Sequence, residues 1–201
     1  MNSGIIKKIT TDYIDCMFHN NEKLTTIEKY EDILSDTEYH LLEFLLKNVV
    51  RWGMKGTSQD LNGVSSYLPQ FWYADLSDID FFTEKMFHKI KSILGDEYYL
   101  NRVYANGQTF GQDGDWHQDC FDGTEHTFLY YFTKSDDLSL IGETYFNIGG
   151  EYQCIIPKPN SGIFFNGILL HKGMSPKRNF TDMRISIAFK MTKVKNKLTL
   201  L

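Results

Sequence analysis

From Glu97 onward the chain divides into short segments rich in Tyr, Phe, Ile and Thr, separated by Gly, Asp and Asn turns. No other feature constrains the fold as much. Strands are expected near 98–105, 116–119, 126–133, 143–147, 152–156, 162–165, 168–172 and 184–192. Many short strands at close spacing fit a sandwich or barrel. The helical segments precede the strands instead of alternating with them, which argues against parallel βαβ units. The expected fold class is α+β, mainly β: an antiparallel double-sheet jelly roll (double-stranded β-helix) with N-terminal helices packed on one sheet.

The helical part has its own punctuation. Ser35-Asp36-Thr37-Glu38 reads as a capping box, and Leu41, Leu42, Leu45, Leu46 and Val49 follow at helical spacing, with Gly53 as the stop. A second helix fits 78–94, capped by Ser77 and ended by Gly95, with Ile79, Phe82, Met86, Phe87, Ile90 and Ile93 as its apolar stripe. Between the two, residues 53–74 read as a long binding loop or lid that ends in Phe71-Trp72-Tyr73. The whole of 1–201 is expected to be one domain. Residues 1–96 give helical support and the lid loop, 97–192 the jelly-roll core, and 193–201 a basic tail.

Composition excludes some classes. With 42% hydrophobic and 23% charged residues among 201, a packed globule is expected. The formal charge is −5, and an acidic bulk repels a phosphate backbone, which argues against nucleic acid as partner. The C-terminal lysines Lys190, Lys193, Lys195 and Lys197 form either a local anion site or a solvated final strand. Three cysteines, Cys16, Cys120 and Cys154, suit a reducing compartment without a disulfide framework. No apolar run approaches the roughly 18 residues of a membrane span. The first residues lack an apolar signal region, so the expected location is cytoplasmic, the host cytoplasm for a viral chain.

The chemistry centres on Trp116-His117-Gln118-Asp119. On a strand, His117 and Asp119 project from one face, where an imidazole and a carboxylate can chelate a metal. Of the six histidines, His40 and His88 fall in expected helices, and His126 has outward parity on its strand. His171 ends Ile163–Leu170, a pair of short apolar strands around Asn166-Gly167. Two His and one carboxylate leave one face of a metal open, as in non-haem Fe(II) oxygenases. A catalytic zinc site can use the same set. Residues 183–189 alternate, with Arg184, Ser186 and Ala188 on one face and Ile185, Ile187 and Phe189 on the other. An Arg followed two residues later by a hydroxyl suits a buried carboxylate. The alternative is an edge-strand Arg snorkelling to water.

This constellation resembles the 2-oxoglutarate- and Fe(II)-dependent oxygenases, in particular the prolyl 4-hydroxylase-like branch and its small viral or bacterial members. The likeness covers 97–192 with motifs and extends loosely over 30–95. It implies iron ligation by His117, Asp119 and His171, and a grip on the far carboxylate of 2-oxoglutarate by Arg184 with Ser186. Phe128–Thr133 resembles the strand whose tyrosine contacts the cosubstrate, with Tyr131 on the better parity. Tyr104 resembles the tyrosine of the strand before the HxD motif. Ordinary core packing is the alternative for both. Gly142–Phe146 and Ile156–Gly162 look like the family's Gly-rich strand opening and its proline-and-glycine stretch. Collagen-type members carry Lys where this chain has Arg184, and the loop 106–115 matches no substrate motif. The implied cofactors are Fe(II), 2-oxoglutarate and O₂, with ascorbate as reductant. The implied reaction couples oxidative decarboxylation to succinate and CO₂ with hydroxylation of a substrate C–H, in peptidyl or free proline. The alternatives are a small molecule, sugar or lipid as substrate, or a non-catalytic metal-binding jelly roll.

Overall fold

The computed structural model describes residues 25–56, 70–95, 97–132, 134–135 and 137–194, with the backbone of 8–10. In chain order the elements are β1 (Lys8–Thr10), β2 (Ile27–Tyr30), α1 (Asp36–Asn48), β3 (Gly53–Gly56) and β4 (Phe71–Asp75). A helix follows that opens with a wide π-type segment (Phe81–Met86) and continues as α2 (Phe87–Leu94). Then come β5 (Tyr98–Gln108), β6 (Glu125–Phe132), a 3₁₀ turn (Leu138–Leu140), β7 (Thr144–Ile148), β8 (Glu151–Ile155), β9 (Ser161–Asn166), β10 (Leu170–Gly173) and β11 (Arg184–Lys193). The large sheet runs β1-β2-β9-β6-β11-β5-β4-β3, and the small one β10-β7-β8. Every pairing is antiparallel. His117 makes an isolated bridge to His171 that extends the small sheet beside β10. This is the expected jelly roll with helices on one sheet.

Strand alternation divides the large sheet into two faces. On one, Ile187 and Phe189 of β11, Val103 of β5 and Phe128 of β6 pack against Leu42 and Leu46 of α1 and against Phe82 and Ile90. On the other, Tyr131, Ile163 and Phe165 meet Phe146 and Ile155 of the small sheet. The side chains of Arg184, Ser186, Ala188 and Lys190 line a cavity between the sheets. β5 changes parity part-way. Opposite β11, Lys190 pairs with Arg102 but Met191 pairs with Leu100, so Asn101 is an extra, bulged residue. Below the bulge Tyr98 and Leu100 pack toward the helices; beyond it Val103 and Ala105 do. The bulge thereby turns Arg102 and Tyr104 into the cavity.

The capping box forms as expected: Ser35 N–H donates to Glu38 Oε2 at 2.8 Å and Glu38 N–H to Ser35 Oγ at 3.4 Å. Glu38 also pairs with Lys89 and so ties α1 to α2. Four expectations need correction. α1 ends at Asn48, and Gly53 opens β3 instead of closing the helix. Residues 53–56 and 71–75 are not loop but the outer hairpin strands of the large sheet; 57–69 lies outside the described residues. Ser77 does not cap the second helix, because the Asp75 carboxylate takes its N–H at 3.0 Å and holds it in a turn. The segments at 162–165 and 168–172 do not pair with each other. Asn166 Oδ1 accepts from Ile168 N–H at 3.0 Å, and the chain turns from β9 in the large sheet to β10 in the small one. Cys120 and Cys154 are free thiols, and Cys16 lies outside the described residues. No helix among the described residues is long and apolar enough to cross a membrane.

Candidate metal and carboxylate site

The bridge between His117 and His171 brings two imidazoles together with ring centroids 4.3 Å apart. Each ring is held by the chain two residues before it. His117 Nδ1 donates to Asp115 O and His171 Nδ1 to Leu169 O, both at 2.8 Å. A carbonyl only accepts, so the proton sits on Nδ1 and the Nε2 lone pair of each ring is free to ligate. Asp119 reaches the same point because its N–H and that of Cys120 both bond to Gly167 O, at 2.8 and 3.1 Å. His117 Nε2 stands 3.9 Å from Asp119 Oδ1, and His171 Nε2 stands 3.6 Å from Oδ2. One ligand atom from each residue lies within 4.8 Å of the others; three ligand atoms about 2.1 Å from one tetrahedral or octahedral ion stand about 3 to 3.5 Å apart, so the set must draw together to close on a cation. The donor chemistry, two imidazoles and one carboxylate, fits a divalent transition metal.

The carboxylate has a second set of partners that the sequence reading missed. Thr127 Oγ donates to Asp119 Oδ2 at 2.6 Å, and the Lys190 ammonium rests on the same oxygen while donating to Thr127 Oγ at 2.9 Å. Lys190 is therefore neither tail nor solvated strand: it continues the Arg184, Ser186, Ala188 parity inward and is 2% exposed. Lys193 does reach the surface and pairs with Glu97 at 2.5 Å; Lys195 and Lys197 lie outside the described residues. Burial would raise the Asp119 carboxyl, but Lys190, His171 and His117 outweigh it and hold it below the usual carboxylate range. Burial pushes the His171 imidazole down to about 3 against the opposing pull of Asp119, which leaves it neutral.

Arg184 lies buried at the far end of the cavity. Its Nε donates to Gly142 O at 3.0 Å, one terminal nitrogen to Gln108 Oε1 at 2.7 Å and the other to Thr144 Oγ at 2.9 Å. None of these acceptors is a carboxylate, and two of the five guanidinium N–H groups remain for a ligand. Gly142 holds a φ of 64°, and a Cβ there would come 2.4 Å from Met174 O. The position thus requires glycine, and with it the carbonyl that receives Nε. Thr144, which lines the cavity, also accepts from Tyr131 at 2.9 Å, so both lone pairs of its Oγ are used and its own proton is left for a further acceptor. Gln108 is committed on its other side too, donating to Gln112 O and Gly173 O at 2.7 and 3.1 Å. Gln108 and Thr144 escaped the sequence reading because tertiary structure, not spacing, brings them to Arg184: Gln108 pairs with it across β5–β11, and Thr144 faces it from the small sheet.

One cavity of about 370 Å³ joins the triad to Arg184, the size of an ordinary small-molecule site. Ser186 and Tyr104 line it. Tyr131 does not: it stands behind Thr144, and burial raises its phenol to about 12. Phe71 and Tyr73 reach the lining and Trp72 does not. Trp116 stacks on Tyr152 outside it, with ring centroids 5.5 Å apart. His126 is packed flat on Phe164, away from the triad.

No protein-family model and no curated protein sequence matches the chain. Solved structures do. A 2OG-Fe(II) oxygenase family oxidoreductase from Burkholderia pseudomallei superposes with a TM-score of 0.60 at 12% identity, over 81% of this chain and 82% of that one. A prolyl hydroxylase from Trichoplax adhaerens, in complex with a hypoxia inducible factor oxygen degradation domain peptide, gives 0.59 at 15% identity over 87% and 86%. A non-haem α-ketoglutarate-dependent epimerase of nogalamycin biosynthesis gives 0.61 at 13% identity over 86% and 79%. The chain thus shares the fold of 2OG-Fe(II) oxygenases.

Proposed function

We propose that this protein is a non-haem Fe(II) oxygenase that uses 2-oxoglutarate and hydroxylates a C–H bond of its substrate, with proline, peptidyl or free, as the first candidate. The observation that carries the reading is one cavity holding an open-faced His-Asp-His set at one end and a buried guanidinium without a carboxylate partner at the other. A dicarboxylate that chelates a metal through one end and needs a cation at the other matches both. Bound there, iron with 2-oxoglutarate and O₂ supplies the oxidising equivalent that converts C–H to C–OH, as the cosubstrate leaves as succinate and CO₂.

In this reading His117, Asp119 and His171 hold the metal. Lys190 and Thr127 occupy Asp119 Oδ2 and leave Oδ1 for the ion, which fixes the carboxylate as a one-oxygen ligand. Arg184 presents two N–H donors and Thr144 one O–H donor to the distal carboxylate; Gln108 and Gly142 aim the fork, and Tyr131 aims the threonine. Ser186 adds a hydroxyl on the same wall, and Tyr104 an aromatic wall facing the substrate. Positioning of this kind is what a protein contributes to a metal–cosubstrate centre. The Trichoplax relative binds a peptide, which supports a peptide substrate; the epimerase points to small molecules.

The test is turnover of 2-oxoglutarate to succinate by Fe(II)-loaded protein, with proline, proline peptides and a small-molecule panel, alongside the spectrum of the Fe(II)–2-oxoglutarate complex. A spectrum that forms in wild type and is lost in His171→Ala is expected. Absence of any Fe(II)–2-oxoglutarate complex overturns the oxygenase reading; a complex with turnover on other substrates alone overturns proline.

A further inference from the structure

We propose that the substrate carries an oxyanion, a carboxylate or phosphate, that docks on Arg102 and Lys55 at the β4–β5 side of the cavity. The proposal rests on the oxygenase reading and narrows its substrate. It starts from charge. The cavity wall carries four cations, Lys55, Arg102, Arg184 and Lys190, and Asp119 as its one carboxylate, in a chain with 26 acidic and 21 basic residues. Lys190 is answered by Asp119. Arg184 and the metal take the two charges of 2-oxoglutarate. Among the described residues, Arg102 and Lys55 make no ion pair with a carboxylate, and the carboxylate that feels Lys55, Asp75, does not line the cavity.

The backbone spends a bulge to create this arrangement. The extra residue Asn101 sits beside the pair Lys190–Arg102 and turns Arg102 to the cavity side of the sheet, directly across from Lys190, where it stands exposed at the cavity's open side, as Lys55 does. Like charges in opposed positions destabilise a sheet; Asp119 compensates Lys190, and an anion beside Arg102 would compensate the other member of the pair. Asn101 is itself anchored, donating to Glu125 Oε1 at 2.7 Å and Thr192 Oγ at 2.9 Å.

Aromatic rings hold the cations in place. The Arg102 guanidinium lies 5.5 Å and the Lys190 ammonium 5.9 Å from the Tyr104 ring centroid. Tyr104 stacks on Tyr73 at 5.5 Å, and the Lys55 ammonium lies 5.6 Å from the Tyr73 ring. Asp75 is near enough to be influenced by Lys55, but it accepts from Ser77 N–H and does not line the cavity. Cations concentrated in a concave site of an acidic protein focus an anionic ligand toward it. A free amino acid offers the carboxylate this wall lacks; an internal peptide residue does not.

The test uses protein loaded with Zn(II) and 2-oxoglutarate, so that Arg184 is occupied, titrated with inorganic phosphate, with acetate and with neutral acetamide. Saturable binding of phosphate or acetate and none of acetamide is expected. Arg102→Met and Arg102→Met/Lys55→Met should weaken it at least tenfold, while Lys158→Met, at an exposed lysine paired with Glu31 outside the cavity, keeps the wild-type affinity. Whichever anion binds more tightly distinguishes a carboxylate from a phosphate substrate. Binding of neither anion, equal binding of acetamide, or unchanged affinity in Arg102→Met overturns the proposal. Binding of 2-oxoglutarate to the metal-loaded wild type is recorded in parallel. Failure there strikes the oxygenase reading alone, and the anion site is still decided by the Arg102 and Lys55 variants.

Discussion

Lys190 and Asp119 form a buried ion pair inside the site: their side chains are 2% and 5% exposed, and the ammonium rests on Oδ2 of the carboxylate. The pair gives Asp119 a counter-charge before any metal arrives. A divalent cation must then share the carboxylate with Lys190 instead of having it alone.

Removing the lysine should separate the two roles. In Lys190→Met the carboxylate is left buried without its cation, a loss of about 3–5 kcal/mol for a broken buried pair. For a domain of this size that is roughly 10 °C in melting temperature for the metal-free protein. Added Fe(II) or Zn(II) should restore more stability to the variant than to wild type. Thermal melts with and without metal measure both, and an equal metal-induced gain in the two proteins would refute the shared-carboxylate account.

The triad variants should not behave alike. His117→Ala should lose metal binding with the fold retained, because its ring is part-exposed. Asp119→Ala should also unfold readily, since it strands the Lys190 charge in the interior. Asp119→Asn keeps the shape and is the better probe of ligation. Metal titration together with circular dichroism distinguishes loss of binding from loss of fold.

Arg184→Met should weaken 2-oxoglutarate binding by about 2–4 kcal/mol, the scale for one side of a charge-assisted buried pair. Arg184→Lys should cost less, since the charge is kept, but should not be neutral, since a point charge cannot reproduce the fork. Thr144→Val should cost about 1–1.5 kcal/mol by removing one hydroxyl from both the guanidinium and the ligand. Calorimetric titration of 2-oxoglutarate into Zn(II)-loaded protein reads all three, and undiminished affinity in Arg184→Met would remove this end of the site.

His126 gives a pH signature independent of the metal. Its ring is buried against Phe164, and its Nε2 meets Asn166 Nδ2 at 3.3 Å. Burial, reinforced by Lys193, lowers its pKa below the ordinary 6.5. The unfolded chain therefore takes up a proton near pH 6.5 while the folded one still refuses it, and stability falls as pH drops below that value. In His126→Phe this part of the decline should vanish, so the melting temperature should change less between pH 7 and 5. Equal slopes in both proteins would show that His126 does not contribute.

His171 and Arg184 were legible because each sits on a strand, β10 and β11; the strand expected at 116–119 is only the single bridge at His117, and Asp119 is brought in by its N–H bond to Gly167 O. Lys190 carried the same signal, three even steps beyond Arg184, but its company of C-terminal lysines drew it into the tail. β3 was hidden for a different reason. Gly53-Met54-Lys55-Gly56 has no β-branched or aromatic run, and it is a strand only because β4 pairs with it. Thr144 and Gln108 carry no signature of their own; register beside β11 gives Gln108 its task, and packing of the small sheet over the large one gives Thr144 its own.

β11 carries two messages in alternate residues, core on the odd positions and chemistry on the even ones. It therefore acts like a reading frame. One residue inserted or deleted between Arg184 and Lys190 would send isoleucines into the cavity and charges into the helical core, so its length is far less negotiable than its content. Within the frame, Ala188 is the smallest even position, two residues from Lys190 and four from Arg184. New side chains there can reshape the cavity while the odd positions go on supporting the helices.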